Sequence, residues 1–104
     1  MPTSDLNVEQ MRKAQAIATL RVLANEDRLM LLCQLKQGEA CVSELEELLG
    51  IRQPTLSQQL GILRTEQIVS TRREGKKIYY QFSDSRVVSL LATLYGLYCS
   101  APTR

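Results

Sequence analysis

The chain has no histidine. That absence removes the side chain most often used as a base beside a catalytic thiol, and the commonest nitrogen ligand for a metal. No run of about 18 consecutive apolar residues occurs either, so nothing reads as a membrane-spanning helix. The opening residues, MPTSDLNVEQ, lack the basic-then-apolar layout of a secretion signal, and the expectation is a cytoplasmic protein with no membrane partner. Cysteines number only three. An odd count does not build an extracellular disulfide framework, so the thiols read as reduced, metal-bound or redox-active. There is no Cys-x-x-Cys pair and no glycine-rich phosphate loop. A thiol enzyme, such as a small peroxidase or sulfur transferase, therefore has little to support it, and neither catalysis nor a cofactor is expected. Internal repeats, linkers and low-complexity segments are also missing.

What is present is unevenly distributed. The 104 residues, 44% of them apolar, suit a single globular domain with a buried core. A net charge of +2 conceals a gradient. Residues 1–50 carry 5 Lys and Arg against 8 Asp and Glu, residues 51–80 carry 6 against 2, and residues 81–104 carry 2 against 1. The basic charge is gathered in one stretch, which suits a polyanion such as nucleic acid and also suits an ordinary solvated surface.

Apolar spacing sorts the chain into elements. Asn7 followed by Gln10 resembles a capping box, and Val8, Met11, Ala14 and Ala18 continue an apolar stripe, predicting a first helix over about 8–24. Asn25 is placed to cap a second helix, with Glu26 and Asp27 in its electropositive first turn. RLMLLCQL is apolar on nearly every side, as a central buried helix would be, and Gly38 stops it. Ser43 with Glu46 predicts a capping box for a short third helix that ends at Gly50. Pro54 suits the first position of a fourth helix running to about Thr65. Two helices around so short a turn, over about 43–65, form a helix-turn-helix. IVSTRRE and KKIYYQF alternate like strands on either side of Gly75, predicting a hairpin over about 68–82 with a basic tip. From Asp84 to Cys99 apolar residues return at helical spacing on almost all sides, and such a helix needs a partner.

This order, mainly α with one small β-hairpin, is that of a winged helix-turn-helix with a further helix at each end. Over nearly its whole length the chain resembles the small bacterial repressors of the ArsR/SmtB type, through LANEDRLMLLCQL, SELEELLGIRQPTLSQQLGILR and TRREGKKIYYQFSD. The resemblance implies binding to double-stranded operator DNA by a homodimer joined through the terminal helices, about 8–24 and 84–99. Val88, Leu91, Leu94, Tyr95 and Tyr98 are expected to offer apolar surface to that dimer. One departure concerns TEQIV, which has Gln67 where the resemblance leads to glycine, so a different end to the fourth helix is expected.

The fourth helix carries Leu56, Leu60 and Leu63 on one side, while Thr55 and Gln58 point away with Ser57 beside them. Amides and hydroxyls pair with base edges, whereas Lys and Glu would bind phosphate or water without reading sequence. Thr55, Ser57 and Gln58, with Gln53 just ahead of the helix, are therefore candidate DNA contacts. Gln59 falls beside the leucine stripe and reads as structural. Gly61 lies on the outer side, either simply tolerated or leaving room for a DNA backbone. Arg52 and Arg64 at the helix ends, and Arg72, Arg73, Lys76 and Lys77 around the wing turn, are candidate phosphate ligands.

Members of the family sense metals, and three thiols could bind a soft one. Without histidine, and with Ser43 where a Cys-x-Cys site would place its second thiolate after Cys41, no metal site is expected. Cys41 reads as a small apolar residue or an auxiliary reactive thiol. Cys33 and Cys99 could each be core residues. Within the family, however, the chain looks most like a persulfide-sensing branch. That resemblance sets the second and last helices side by side and implies a redox pair, Cys33 with Cys99, linked directly or through added sulfur. The expectation is a repressor that holds DNA when reduced and releases it when reactive sulfur species link the pair. The alternatives are a metal-responsive repressor and, further off, a thiol-dependent sulfur-handling enzyme.

Overall fold

The computed structural model describes the backbone of residues 3–99 and the side chains of residues 12–99. In chain order these form α1 (Thr3–Leu23), α2 (Glu26–Leu35), β1 (Ala40–Cys41), α3 (Val42–Leu49), α4 (Thr55–Thr65), β2 (Val69–Glu74), β3 (Lys77–Phe82) and α5 (Ser85–Tyr98). Because α1 starts at Thr3, Asn7 lies inside the helix and does not cap it. The side chains of Asn7, Val8, Gln10 and Met11 lie outside the described ones. Of the expected stripe, Ala14 and Ala18 are exposed, as are Ile17 and Leu20 nearby, and among the described side chains of α1 it is Val22 and Leu23 that join the core.

The α2 start is as expected: Asn25 Oδ1 accepts from the Arg28 backbone N–H at 3.0 Å. Leu31, Leu32 and Leu35 of α2 are buried with Leu45 of α3, Leu56, Leu60 and Leu63 of α4, Ile68 and Val69, and Val87 and Leu91 of α5. Truncating the fully buried Leu60 to Ala would cost about 2–5 kcal/mol. Leu91, expected on the outer surface of the last helix, belongs to this core with Val87, one turn earlier on the same side of α5. Val88 and Leu94 are half-buried, and Tyr95 and Tyr98 are exposed.

The expected Ser43–Glu46 cap of α3 is replaced by an earlier one. Cys41 is the cap residue, and its N–H donates to Glu44 Oε1 at 2.9 Å. The cause is tertiary: Ala40 and Cys41 are drawn into the sheet as β1, opposite Tyr80 and Tyr79 of β3, and the chain passes straight from strand to helix. The bond from Cys41 N–H holds the Glu44 carboxyl below the usual carboxylate range. At the other end Gly50, with φ 72°, closes α3. Pro54 is the cap residue of α4 and not its first helical residue.

The end of α4 overturns the expectation attached to Gln67, which itself takes the left-handed conformation at φ 62°. Ile68 N–H donates to Leu63 O at 3.0 Å and Gln67 N–H to Arg64 O at 2.9 Å, the two bonds of a Schellman close. Leu63 and Ile68 are both buried. Burying an isoleucine contributes about 1.5–3 kcal/mol, which offsets the roughly 1–2 kcal/mol strain of a side chain in that conformation.

The sheet is antiparallel in the order β1-β3-β2. Glu74 faces Lys77, leaving Gly75 and Lys76 as a two-residue turn with Gly75 at φ 64°. The base of the wing is tied to the end of α4, since Ser83 N–H donates to Ile68 O and Ser83 Oγ–H to Gln67 O, both at 2.9 Å. No helix among the described residues is long and apolar enough to cross a membrane.

Candidate DNA interface and thiol pair

The three leucines of α4 are wholly buried, so the helix must turn its opposite side outward. Ser57 and Gln58 are exposed there, and Thr55 is half-buried at the flank. Gln53 is exposed, and its Oε1 accepts from Ser57 N–H at 3.1 Å, which commits the side-chain oxygen to the first turn of the helix. Gln59 has the structural place expected of it: half-buried, with Oε1 accepting from Arg28 Nη1 at 2.8 Å. A Cβ added at Gly61 would meet nothing within 4 Å, so packing within this chain does not demand glycine. Ile62 was not singled out in the sequence, because an apolar residue in an amphipathic helix defaults to the core. It is exposed near Gln58, where an apolar side chain can meet a thymine methyl. Arg52 and Arg64 are exposed at the two ends of α4 with no ion pair among the described residues.

In the wing, Arg73, Lys76 and Lys77 are likewise exposed and without an ion pair among the described residues. Arg72 is not grouped with them. Its Nε donates to Glu39 Oε1 at 2.8 Å, its Nη2 to Glu39 Oε2, and its Nη1 to Glu74 Oε1 at 2.8 Å. The guanidinium lies 4.7 Å from the centroid of the Tyr79 ring. These bonds hold the Glu39 carboxyl below its usual range and raise the already high pKa of Arg72. Arg72 thus braces the wing against the segment leading into β1, with its charge balanced by two carboxylates.

All three cysteines are unlinked. The core reading fits Cys41, which is 3% exposed with Sγ 3.3 Å from Ser43 Oγ, but fits neither Cys33 nor Cys99, both exposed. Cys33 lies in the last turn of α2; Cys99 caps the end of α5, its N–H donating to Tyr95 O at 2.8 Å. The two helix ends meet where Lys36 Nζ sits 5.5 Å from the centroid of the Tyr95 ring. Partial burial pushes the Cys33 thiol pKa up and the neighbouring Cys99 pushes it further, while Lys36 pulls it down. An open cleft of about 390 Å³, lined by Leu29, Met30, Gln34, Gln37 and Leu49, gives access to Cys33. Among the described residues no three His, Cys, Asp or Glu side chains cluster as a metal site would require.

A leucine-anchored helix presenting amides, followed by a basic two-stranded wing, defines a winged helix-turn-helix of the DNA-binding regulators. The profile described as bacterial regulatory protein, arsR family, matches residues 25–71. Over 91 residues the chain is 48% identical to the biofilm growth-associated repressor of Agrobacterium fabrum, covering 88% of this chain and 78% of that protein. The crystal structure of the transcriptional repressor BigR from Xylella fastidiosa matches with a TM-score of 0.79 at 42% identity, covering 97% of this chain and 100% of that one. The homodimeric winged helix-turn-helix domain of Mb0332 from Mycobacterium bovis, a possible ArsR-family regulator, matches at 0.77 and 30% identity, covering 86% and 82%. The chain belongs to the arsR family of bacterial regulatory proteins.

Proposed function

We propose that the protein is a homodimeric transcriptional repressor that holds operator DNA while Cys33 and Cys99 are reduced and leaves it when a persulfide links them. The observation that carries the sulfur reading is that two exposed thiols lie at the ends of α2 and α5 that meet at the Lys36–Tyr95 contact. Repression is supported by the likeness to two repressors of the same family. The dimer is supported by the homodimeric relative and by apolar surface the chain leaves bare: Leu20 on α1 is 57% exposed, and Tyr95, Leu97 and Tyr98 on α5 are 56%, 69% and 80% exposed.

In this reading two α4 helices enter successive major grooves about 34–36 Å apart, with Thr55, Ser57 and Gln58 toward base edges. Arg52, Arg64, Arg73, Lys76 and Lys77 meet phosphates. The protein is a stoichiometric sensor and not a catalyst. The thiolate of one cysteine takes the outer sulfur of a persulfide RSSH, releasing RSH. The second thiolate attacks the inner sulfur of the new persulfide and expels hydrosulfide, leaving a disulfide. If both cysteines first gain a sulfur, their condensation expels hydrogen sulfide and leaves a trisulfide. The link fixes α5 against α2 and changes the spacing of the two α4 helices. Losing one half-site supplies the several kcal/mol that separate bound from released states.

The test is intact mass spectrometry of the protein treated anaerobically with an organic persulfide, paired with DNA binding of the same sample. One intramolecular link per chain accompanied by release is expected. Release by a soft metal ion but not by sulfur donors would replace this reading with the metal-responsive one.

A further inference from the structure

The last four carbonyls of a helix have no partner within it and must be satisfied from outside. At the end of α1, Leu20 O accepts from Ala24 N–H at 2.9 Å and Leu23 O from Asn25 N–H at 2.8 Å. The other two are taken by a single side chain: Arg28 Nε donates to Val22 O at 2.6 Å and Nη2 to Arg21 O at 3.2 Å. The remaining arm of the same guanidinium, Nη1, crosses to Gln59 Oε1 of α4 at 2.8 Å. Arg28 is itself anchored, since its backbone N–H is capped by Asn25. A planar guanidinium presents its donors in a fixed fork, so bonds to α1 and α4 through one plane hold the two helices in a fixed relation.

The leucines on the inner side of α4 fix its depth and which side faces outward, but apolar contact is non-directional and tolerates small rolls about the helix axis. Gln59 flanks that stripe, and a directional bond there opposes rotation. On a helix about 10–12 Å across, a roll of about 10° moves a side-chain tip by about 1 Å. That displacement is enough to spoil a hydrogen bond to a base edge. We propose that Arg28 and Gln59 are positioning residues for DNA recognition: the guanidinium braced on the end of α1 sets the roll of α4, and hence the direction in which Ser57 and Gln58 leave it. This rests on the reading of α4 as the base-contacting helix. The end of α1 and the reading helix then move together, so a shift imposed on α1 reaches the DNA face.

The experiment uses a duplex selected by the wild-type protein from a random-sequence pool and a scrambled duplex of equal length, titrated at several salt concentrations. Gln59→Leu removes the acceptor, Arg28→Lys keeps the charge but loses the fork, and Gln59→Glu keeps an acceptor for the guanidinium. Gln59→Leu and Arg28→Lys are each expected to lower the preference for the selected duplex by about tenfold or more, with affinity for scrambled DNA and its salt slope unchanged. Gln59→Glu should retain the preference, and the double variant Arg28→Lys/Gln59→Leu should be no worse than either single one. A folded Gln59→Leu protein with wild-type preference, or equal losses on both duplexes, would overturn the positioning role alone. A wild type that selects no sequence would overturn the reading of α4 as well.

Discussion

The ammonium of Lys36 lies over the ring of Tyr95, 5.5 Å from its centroid. Lys36 follows Cys33 by about one helical turn, and Cys99 follows Tyr95 by another, so a single contact between α2 and α5 sets both thiols at the same end of the molecule. A cation over an exposed ring contributes about 0.5–1 kcal/mol, enough to bias the end of α5 but not to lock it. A covalent link would supply the lock.

Variants of the three cysteines should separate accordingly. Cys33→Ser and Cys99→Ser should each bind operator DNA as the wild type does and stay bound when a persulfide is added, because neither can close the link. Cys41→Ser should still respond, although loss of its buried thiol costs some stability. DNA-binding anisotropy before and after treatment reads all three, and an unresponsive Cys41→Ser would move the sensor to the base of α3.

The pH dependence of Cys33 reactivity follows from the direction of its shift. Partial burial and the neighbouring Cys99 raise its pKa, so at neutral pH it should be alkylated more slowly than a simple thiol, and its rate should still be climbing where a simple thiol levels off. Lys36→Gln removes the opposing influence and should move the profile to higher pH; Cys99→Ser should move it lower. Peptide mapping after timed alkylation measures this. A profile unchanged by Lys36→Gln would show that the ammonium does not act on the thiol.

Reading and holding should also separate. Gln58→Ala should cost roughly 1–3 kcal/mol per half-site on operator DNA and little on random DNA. Lys77→Ala should weaken both alike and reduce the salt slope. Arg72→Ala should change the salt slope less than Lys77→Ala, since carboxylates already balance its charge. Competition titrations at several salt concentrations distinguish these, and a Gln58→Ala loss equal on both DNAs would remove its base-reading role.

Gln67→Gly should stabilise the protein. It relieves a side chain held at φ 62° while keeping both backbone bonds of the α4 close, for a gain of about 1 kcal/mol. For a domain near this size that raises the melting temperature by about 4–8 °C. A melting temperature at or below that of the wild type would mean that the glutamine side chain supports the turn in a way its backbone bonds do not reveal.

What the sequence determined by itself was carried by neighbours a few residues apart, although the equally local Asn7–Gln10 pattern falls inside α1. The cap at Asn25, the stop at Gly50 and the opposition of Leu56, Leu60 and Leu63 to Ser57 and Gln58 all depend on helical period and cap chemistry, which act within about four residues. Tertiary structure decided whatever depends on a partner brought from afar. Pairing with Tyr80 and Tyr79 pulled Ala40 and Cys41 into a strand and moved the cap of α3 away from Ser43. The core drew Ile68 inward and forced Gln67 into a conformation that its own side chain disfavours. Glu39, 33 residues from Arg72, took a cation that local pattern had placed among the phosphate ligands. Arg28 found its acceptor 31 residues away in Gln59. A hydrogen bond or ion pair fails when its partner is displaced by about 1 Å, whereas apolar spacing tolerates many arrangements. The pattern of leucines was therefore enough for the fold, and only the assembled chain could say which polar side chains remain available for DNA.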